Sequence, residues 1–200
     1  EALNHFDTAN QLLRDEPGAI LHRAHALAAI GEATDDPADA IDALASARVL
    51  FQEHLEDCKR QGTGVDKATL YLGQHNLVES ARSQSTGLYD EARARLTEAV
   101  SLLDRVDYPM GQGQAGLALA HLLFLRGHDS EALRHAGQAA GRFAQICYAP
   151  GLIQAQYLLA RIAAREGELD RAMALTQRSI DRARESDLEQ LALAGRLLLV

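Results

Sequence analysis

Small and apolar residues recur along this chain at helical spacing, and the recurrence itself repeats every forty residues. Gly87-Leu88-Tyr89-Asp90-Glu91-Ala92 is followed by Leu96 and Ala99. Forty residues on stand Gly127, Ala132, Ala136 and Ala139, and forty further Gly167, Ala172, Thr176 and Ser179. A looser version, with four extra residues in the turn, runs Gly31, Ala40, Leu44, Ala47, and Ala2, Phe6 and Ala9 fit the second half of another. Positions i, i+4 and i+7 share one stripe of a helix, so each set is a narrow face of small side chains that lets a neighbouring helix come close. The glycine sits where the chain must reverse tightly, a place that favours positive φ. One helical hairpin cannot bury both its faces, so hairpins of this kind stack on one another.

The pattern predicts about ten helices and no strand. Their expected spans are 1–15, 18–31, 37–61, 65–86, 88–106, 109–126, 128–147, 150–166, 168–185 and 187–200. Asp36-Pro37 reads as a helix start, an N-cap followed by proline at the first helical position. Pro17, Pro109 and Pro150 likewise fall between periodic runs. The clearest break is Gln61-Gly62-Thr63-Gly64. It is read as a loop within one continuous array over 1–200, the alternative being a hinge near 61–65. The chain begins at Glu1 without Met and stops inside the apolar run Leu197-Leu198-Leu199-Val200, which reads as a fragment of a longer chain.

Gly87, Tyr89, Ala92, Leu96 and Ala99 resemble the tetratricopeptide repeat (TPR), with its turn glycine, aromatic residue and small-bulky-small second helix. The large-small pair of the first helix is matched by Leu119-Ala120 and Leu159-Ala160. The departures are a period of forty rather than thirty-four, no Trp in the first helix and no closing proline in the regular repeats. A long period of this sort is similar to arrays in bacterial signalling and transcriptional regulators. The resemblance implies an all-α, right-handed superhelical solenoid of antiparallel helix hairpins whose first helices line a concave groove.

Composition narrows the function more than the fold. Apolar residues are 47% and aromatic residues only 4%, so Ala and Leu supply the core, which suits close helix packing and poorly suits a sheet. The net charge of −8 argues against direct nucleic-acid binding by this segment. No apolar run approaches the roughly 18–20 residues of a membrane span. Cys58 and Cys147 stand alone, without a CxxC or a disulfide framework, as in a reducing cytoplasm. Lys occurs only at 59 and 67, an Arg-dominated usage pointing to a GC-rich bacterial genome.

Chemical motifs are fragmentary. Gly111-Gln112-Gly113-Gln114-Ala115-Gly116 spells GxGxxG, but the dinucleotide motif needs a preceding strand, and the run is read as helix with glycines relieving crowding. Gly62 to Lys67 has the wrong spacing for a phosphate loop. His54 and Cys58 share a helix face but make an incomplete metal set, and His22/His25 and His128/His135 are similar weak pairs. No nucleophile has a recognisable setting and no complete set of catalytic roles can be assembled, so no enzyme activity, cofactor or metal is expected.

One constellation stands out. Gln74, Gln114 and Gln154 recur at the forty-residue period, each early in the first helix of its repeat. Leu77, Leu117 and Tyr157 follow three residues later, with His121, Phe124, Arg161 and Arg165 further along the stripe. Three amides along a groove would hydrogen-bond an extended peptide backbone, and the two arginines would meet an acidic group. The expected partner is therefore a protein or peptide, held by a scaffold or sensor segment of a larger regulatory protein in the cytoplasm. The alternatives are a small-molecule effector site lined by His121, Phe124, Tyr157 and Arg161, or self-assembly into a homo-oligomer through the apolar end 191–200.

Overall fold

The computed structural model describes residues 19–198, with side chains up to Gly195. Among these residues the chain forms nine α-helices and no strand: α1 (Ala19–Ala33), α2 (Pro37–Gln61), α3 (Val65–Ser85), α4 (Tyr89–Leu103), α5 (Pro109–Leu125), α6 (Asp129–Gln145), α7 (Ala149–Arg165), α8 (Leu169–Glu185) and α9 (Glu189–Leu198). The helix expected over 1–15, the residues Ala2, Phe6 and Ala9, and Pro17 lie outside the described residues. The other spans agree with the sequence pattern to within about three residues. Successive helices pair as antiparallel hairpins, α1 with α2, α3 with α4, α5 with α6 and α7 with α8. This is a TPR-like helical array.

The chain divides into two compact units, 1–107 and 108–200. The Gly62–Gly64 turn lies inside the first, since α2 and α3 on either side of it pack together. In that unit α1, α2 and α3 enclose a core that includes Leu27, Leu50, Phe51, Leu55 and Leu72. Asp36 caps α2 as its sequence suggested, accepting hydrogen bonds from the backbone N–H groups of Ala38 and Asp39, with Pro37 in the first turn. Arg82 of α3 donates to the carbonyl oxygens of Gly31 and Thr34 at 3.1 and 2.7 Å. It thereby satisfies carbonyls at the end of α1 that the helix itself leaves open.

In the second unit, the small stripe predicted from the repeat is buried: Ala132, Ala136 and Ala139 on α6, Ala172, Thr176 and Ser179 on α8. The GxGxxG run is interior to α5, and its glycines serve packing. A Cβ on Gly113 would lie 2.6 Å from the Phe143 ring of α6, and one on Gly151 of α7 would lie 2.7 Å from the same ring. Phe143 is thus seated against two bare stretches of backbone. Position for position, Gly73 takes Leu103 in the preceding repeat, whereas the following one places Ile153 on α7 and Ala183 on α8 in a shared cluster. Volume moves from one helix of the hairpin to the other while the pair stays filled, as close packing requires.

The helix ends follow a twenty-residue rhythm. Gly87, Gly127 and Gly167 take φ of 80°, 79° and 84° at the turns within hairpins. Cys147 and Asp187, at φ 54° and 55°, do the same between hairpins. Each turn carries the paired backbone bonds of a Schellman motif, as in Cys147 N–H to Ala144 and Tyr148 N–H to Phe143. The expected helix over 128–147 therefore ends at Gln145, because a non-glycine residue took the left-handed position and gave no sign of it in sequence.

Candidate functional site

Gln74, Gln114 and Gln154 occupy one register position on α3, α5 and α7, and all three are exposed between buried neighbours. Gln74 belongs to the first unit and is described with it; Gln114 and Gln154 belong to the second. Their exposure follows from the repeat. On α5 the residues flanking Gln114 are Gly113 and Ala115, and on α7 those flanking Gln154 are Ile153 and Ala155, all buried; Ile153 packs toward α8 and Ala155 toward Ala139 and Phe143 of α6. Leu77 and Leu117 are half-buried beside the glutamines.

The second unit holds the richer face. Along α5 the outward residues are Gln114, Ala118, His121 and Leu125, at the three- and four-residue steps of one helix face. α7 lies against α5 and contributes Gln154, Arg161 and Arg165. Phe124 is buried beneath the two arginines, whose guanidinium carbons stand 4.7 Å (Arg161) and 3.7 Å (Arg165) from its ring centroid. Both are cation–π distances. His121, exposed beside Arg161, has its pKa pushed below the usual histidine value, by partial desolvation first and by the Arg161 charge second.

The two arginines have different fates. Arg165 pairs with Asp129 at the start of α6 and donates to the Phe124 carbonyl oxygen at 2.8 Å, so its charge is used inside the unit. Arg161 makes no ion pair with a carboxylate among the described residues and keeps its guanidinium on the Phe124 ring. Tyr157, expected on this face, turns to α9 instead: its hydroxyl donates to the Leu191 carbonyl oxygen at 2.6 Å and its ring joins the cluster with Ile180 and Ala192. A large aromatic ring has more to gain from burial than from a half-wet face, and its partner lies thirty-four residues away, beyond the reach of a local pattern. Gln156, two residues after Gln154, is internal, accepting from Ser179 and Arg182 at 3.1 and 3.0 Å.

The first unit shows a feature that the sequence reading missed. The buried side of α3 is polar, with Thr69, His75, Asn76, Glu79, Ser80 and Ser83 all enclosed. Arg48 of α2 sits 3.1 Å from the Glu79 carboxylate. Burial raises the Glu79 pKa, opposed by Arg48 and Arg95. The available signal was that this helix has few apolar residues for one in mid-array. His54 and Cys58 touch at 3.7 Å, and His22 and His54 both lie near His25. Among the described residues no group of three or more His, Cys, Asp or Glu side chains is placed to hold a metal ion, and no helix is long and apolar enough to cross a membrane.

The class of fold is thus a TPR-like array, and solved structures of the same architecture are found among the Rap proteins. The chain is similar to aspartyl phosphate phosphatase F from Bacillus subtilis, with a TM-score of 0.78 and 15% identity over 98% of this chain and 49% of that one. It is similar to the apo form of RapI, with a TM-score of 0.80 and 10% identity over 98% and 68%. It is also similar to the Rap conjugation gene regulator of plasmid pLS20, solved with the Phr peptide, with a TM-score of 0.66 and 20% identity over 96% and 51%. The chain spans about half the length of the first and third of these. Likeness at such identities is a likeness of fold. No protein-family model and no curated protein matches the sequence.

Proposed function

We propose that the chain is a peptide-binding scaffold, a segment of a regulatory protein, and that the exposed face of α5 and α7 grips an extended peptide. The observation that carries this reading is the pair Gln114 and Gln154, exposed in the same register on neighbouring first helices and continued by His121 and Arg161. A primary amide offers two donors and an acceptor, the set that a peptide backbone presents in return. First helices of adjacent hairpins stand roughly 10 Å apart, and an extended chain rises about 3.3 Å per residue. One glutamine then meets the backbone every few residues, which gives grip with loose sequence demand. Arg161, its guanidinium 4.7 Å from the Phe124 ring centroid, supplies a positive group for an acidic side chain or a carboxylate, while Arg165 is held by Asp129. The Rap regulator solved with a Phr peptide shares this architecture, which supports a peptide as the partner.

The small-molecule reading is weaker, because two of its four expected liners are engaged internally: Tyr157 on α9 and Phe124 beneath the arginines. The self-assembly reading rests largely on side chains beyond Gly195, outside those described.

The test begins with selection of linear peptides from a displayed random library, followed by calorimetric titration of the synthetic peptides. Each amide bond to a backbone contributes roughly 0.5–1.5 kcal/mol, so Gln114→Ala/Gln154→Ala is expected to weaken binding by about one order of magnitude or more. Arg161→Ala should weaken acidic peptides selectively and flatten their salt dependence. Binding indifferent to both changes would remove the proposal.

A further inference from the structure

We propose that the ring cluster of His25, Phe51, Tyr71 and His75 is an acid-released fastening that holds α1 against α2 and α3. Phe51 of α2 is the hub. His25 of α1 meets it edge-on with centroids 5.1 Å apart, and His75 of α3 meets it at 5.0 Å. His25 also stands edge-on to Tyr71 of α3 at 5.1 Å. The three helices are therefore joined by one set of rings, and two of the four rings change charge in mildly acid solution.

The surroundings favour the uncharged rings. His75 is 4% exposed, and its Nε2 lies 2.8 Å from the Leu44 carbonyl oxygen, an acceptor that places the ring proton on that nitrogen. The other ring nitrogen would carry the second proton, in a buried setting beside the Phe51 ring. The titratable and charged neighbours are basic groups. From α1 His22 faces His25, from α2 His54 faces it, and Arg48 of α2 lies near His75. On α3, Lys67 stands 5.7 Å from the Tyr71 ring. The carboxylate one turn along α3, Glu79, is bound to Arg48. Protonation of either ring thus adds charge among like charges, with burial opposing it at His75. Burial holds the His75 pKa down at about 4, and burial with His22 and His54 lowers that of His25.

Relief comes from opening. When α1 lifts away, buried His75 loses a cover and His25, already exposed at the edge of the cluster, leaves the Phe51 and Tyr71 rings and the neighbouring His54, so proton uptake and α1 release are thermodynamically linked. Hydrogen exchange of the whole chain, followed by mass spectrometry and corrected for intrinsic rates, reads this directly. Between about pH 7.5 and pH 5 the opening constant of α1 amides should rise about tenfold or more, while those of α7 and α8 change far less. His25→Phe/His75→Gln keeps an edge-on ring and a donor to Leu44 but removes both titrations, and should hold α1 closed at the lower pH. An α1 opening constant that ignores pH, a rise shared equally by α7 and α8, or a double variant that opens like the parent would each overturn the proposal. Should the double variant not fold, the parent decides by proton NMR. A His75 ring titrating like an exposed histidine contradicts the fastening, and one that stays neutral until α1 releases supports it.

Discussion

Gly113→Ala puts the packing of the second unit to a quantitative test. The new Cβ would fall 2.6 Å from Phe143 Cε1 and 2.9 Å from Cδ1 and Cζ. Carbon atoms at rest stand about 3.5–4.0 Å apart, so the ring must retreat by roughly 1 Å. Its retreat is opposed by Gly151, whose own Cβ position lies 2.7 Å from Cδ1 and Cε1. Overpacking of this kind costs about 1–3 kcal/mol, and the better helix propensity of alanine returns roughly 0.5–1 kcal/mol. A net destabilisation of about 1–2 kcal/mol is expected. Gly137→Ala and Gly141→Ala on α6 are the controls. Both positions are exposed with nothing within 4 Å of a Cβ, so only propensity acts and each should stabilise by roughly 0.5–1 kcal/mol. Urea titrations followed by circular dichroism, with hydrogen exchange of α5–α7 as the local readout, measure all three. In a Phe143→Ala background the penalty at 113 should vanish, as the Ile153 and Ala183 arrangement suggests, giving a coupling energy of about 1 kcal/mol or more. A Gly113→Ala variant that gains stability like the controls would refute the reasoning.

Other outcomes follow from the same geometry. Cys147→Gly relieves a left-handed residue at an exposed turn and should raise stability by about 1 kcal/mol, measured as a shift in the urea midpoint. Ala132→Leu, at a fully buried position of the small stripe, should overpack α6 and cost about 1–3 kcal/mol, with a lowered melting temperature. His75 sets an acid limit. Its folded pKa of about 4 lies below the ordinary 6.5, so its contribution is complete above pH 6.5 and is lost as the pH falls toward 4. The loss amounts to roughly 3 kcal/mol by linkage. Glu79, raised by burial, acts in the opposite sense as it protonates, so His75→Gln is the variant that isolates the histidine in a stability-versus-pH series.

The hairpin repeat was legible because its signals are local. A glycine and a stripe of small residues at helical spacing report a turn and a close helix contact without any knowledge of the partner. The exposure of Gln114 and Gln154 was legible for the same reason, since their flanking residues are apolar or absent of side chain. What the pattern did not disclose depends on distant residues. Arg165 looked like an offered charge, but Asp129, thirty-six positions away, takes it. Tyr157 looked like a groove residue, but the Leu191 carbonyl oxygen and the bare backbone of Gly195 give it a better place. Cys147 broke the rule that left-handed turns are glycine, so a helix was read two residues too long. The ring cluster around Phe51 joins three helices and has no signature along the chain at all.

The central claim is that the α5/α7 face binds an extended peptide, and amide chemical-shift mapping of the 21.7 kDa chain with a selected linear peptide tests it most directly. The side-chain amides of Gln114 and Gln154 and the backbone around His121 and Arg161 should shift together and saturate at one affinity. Shifts confined to the outward side of α8, around the exposed Leu169 and Met173, would contradict it and place the partner on the second helices instead.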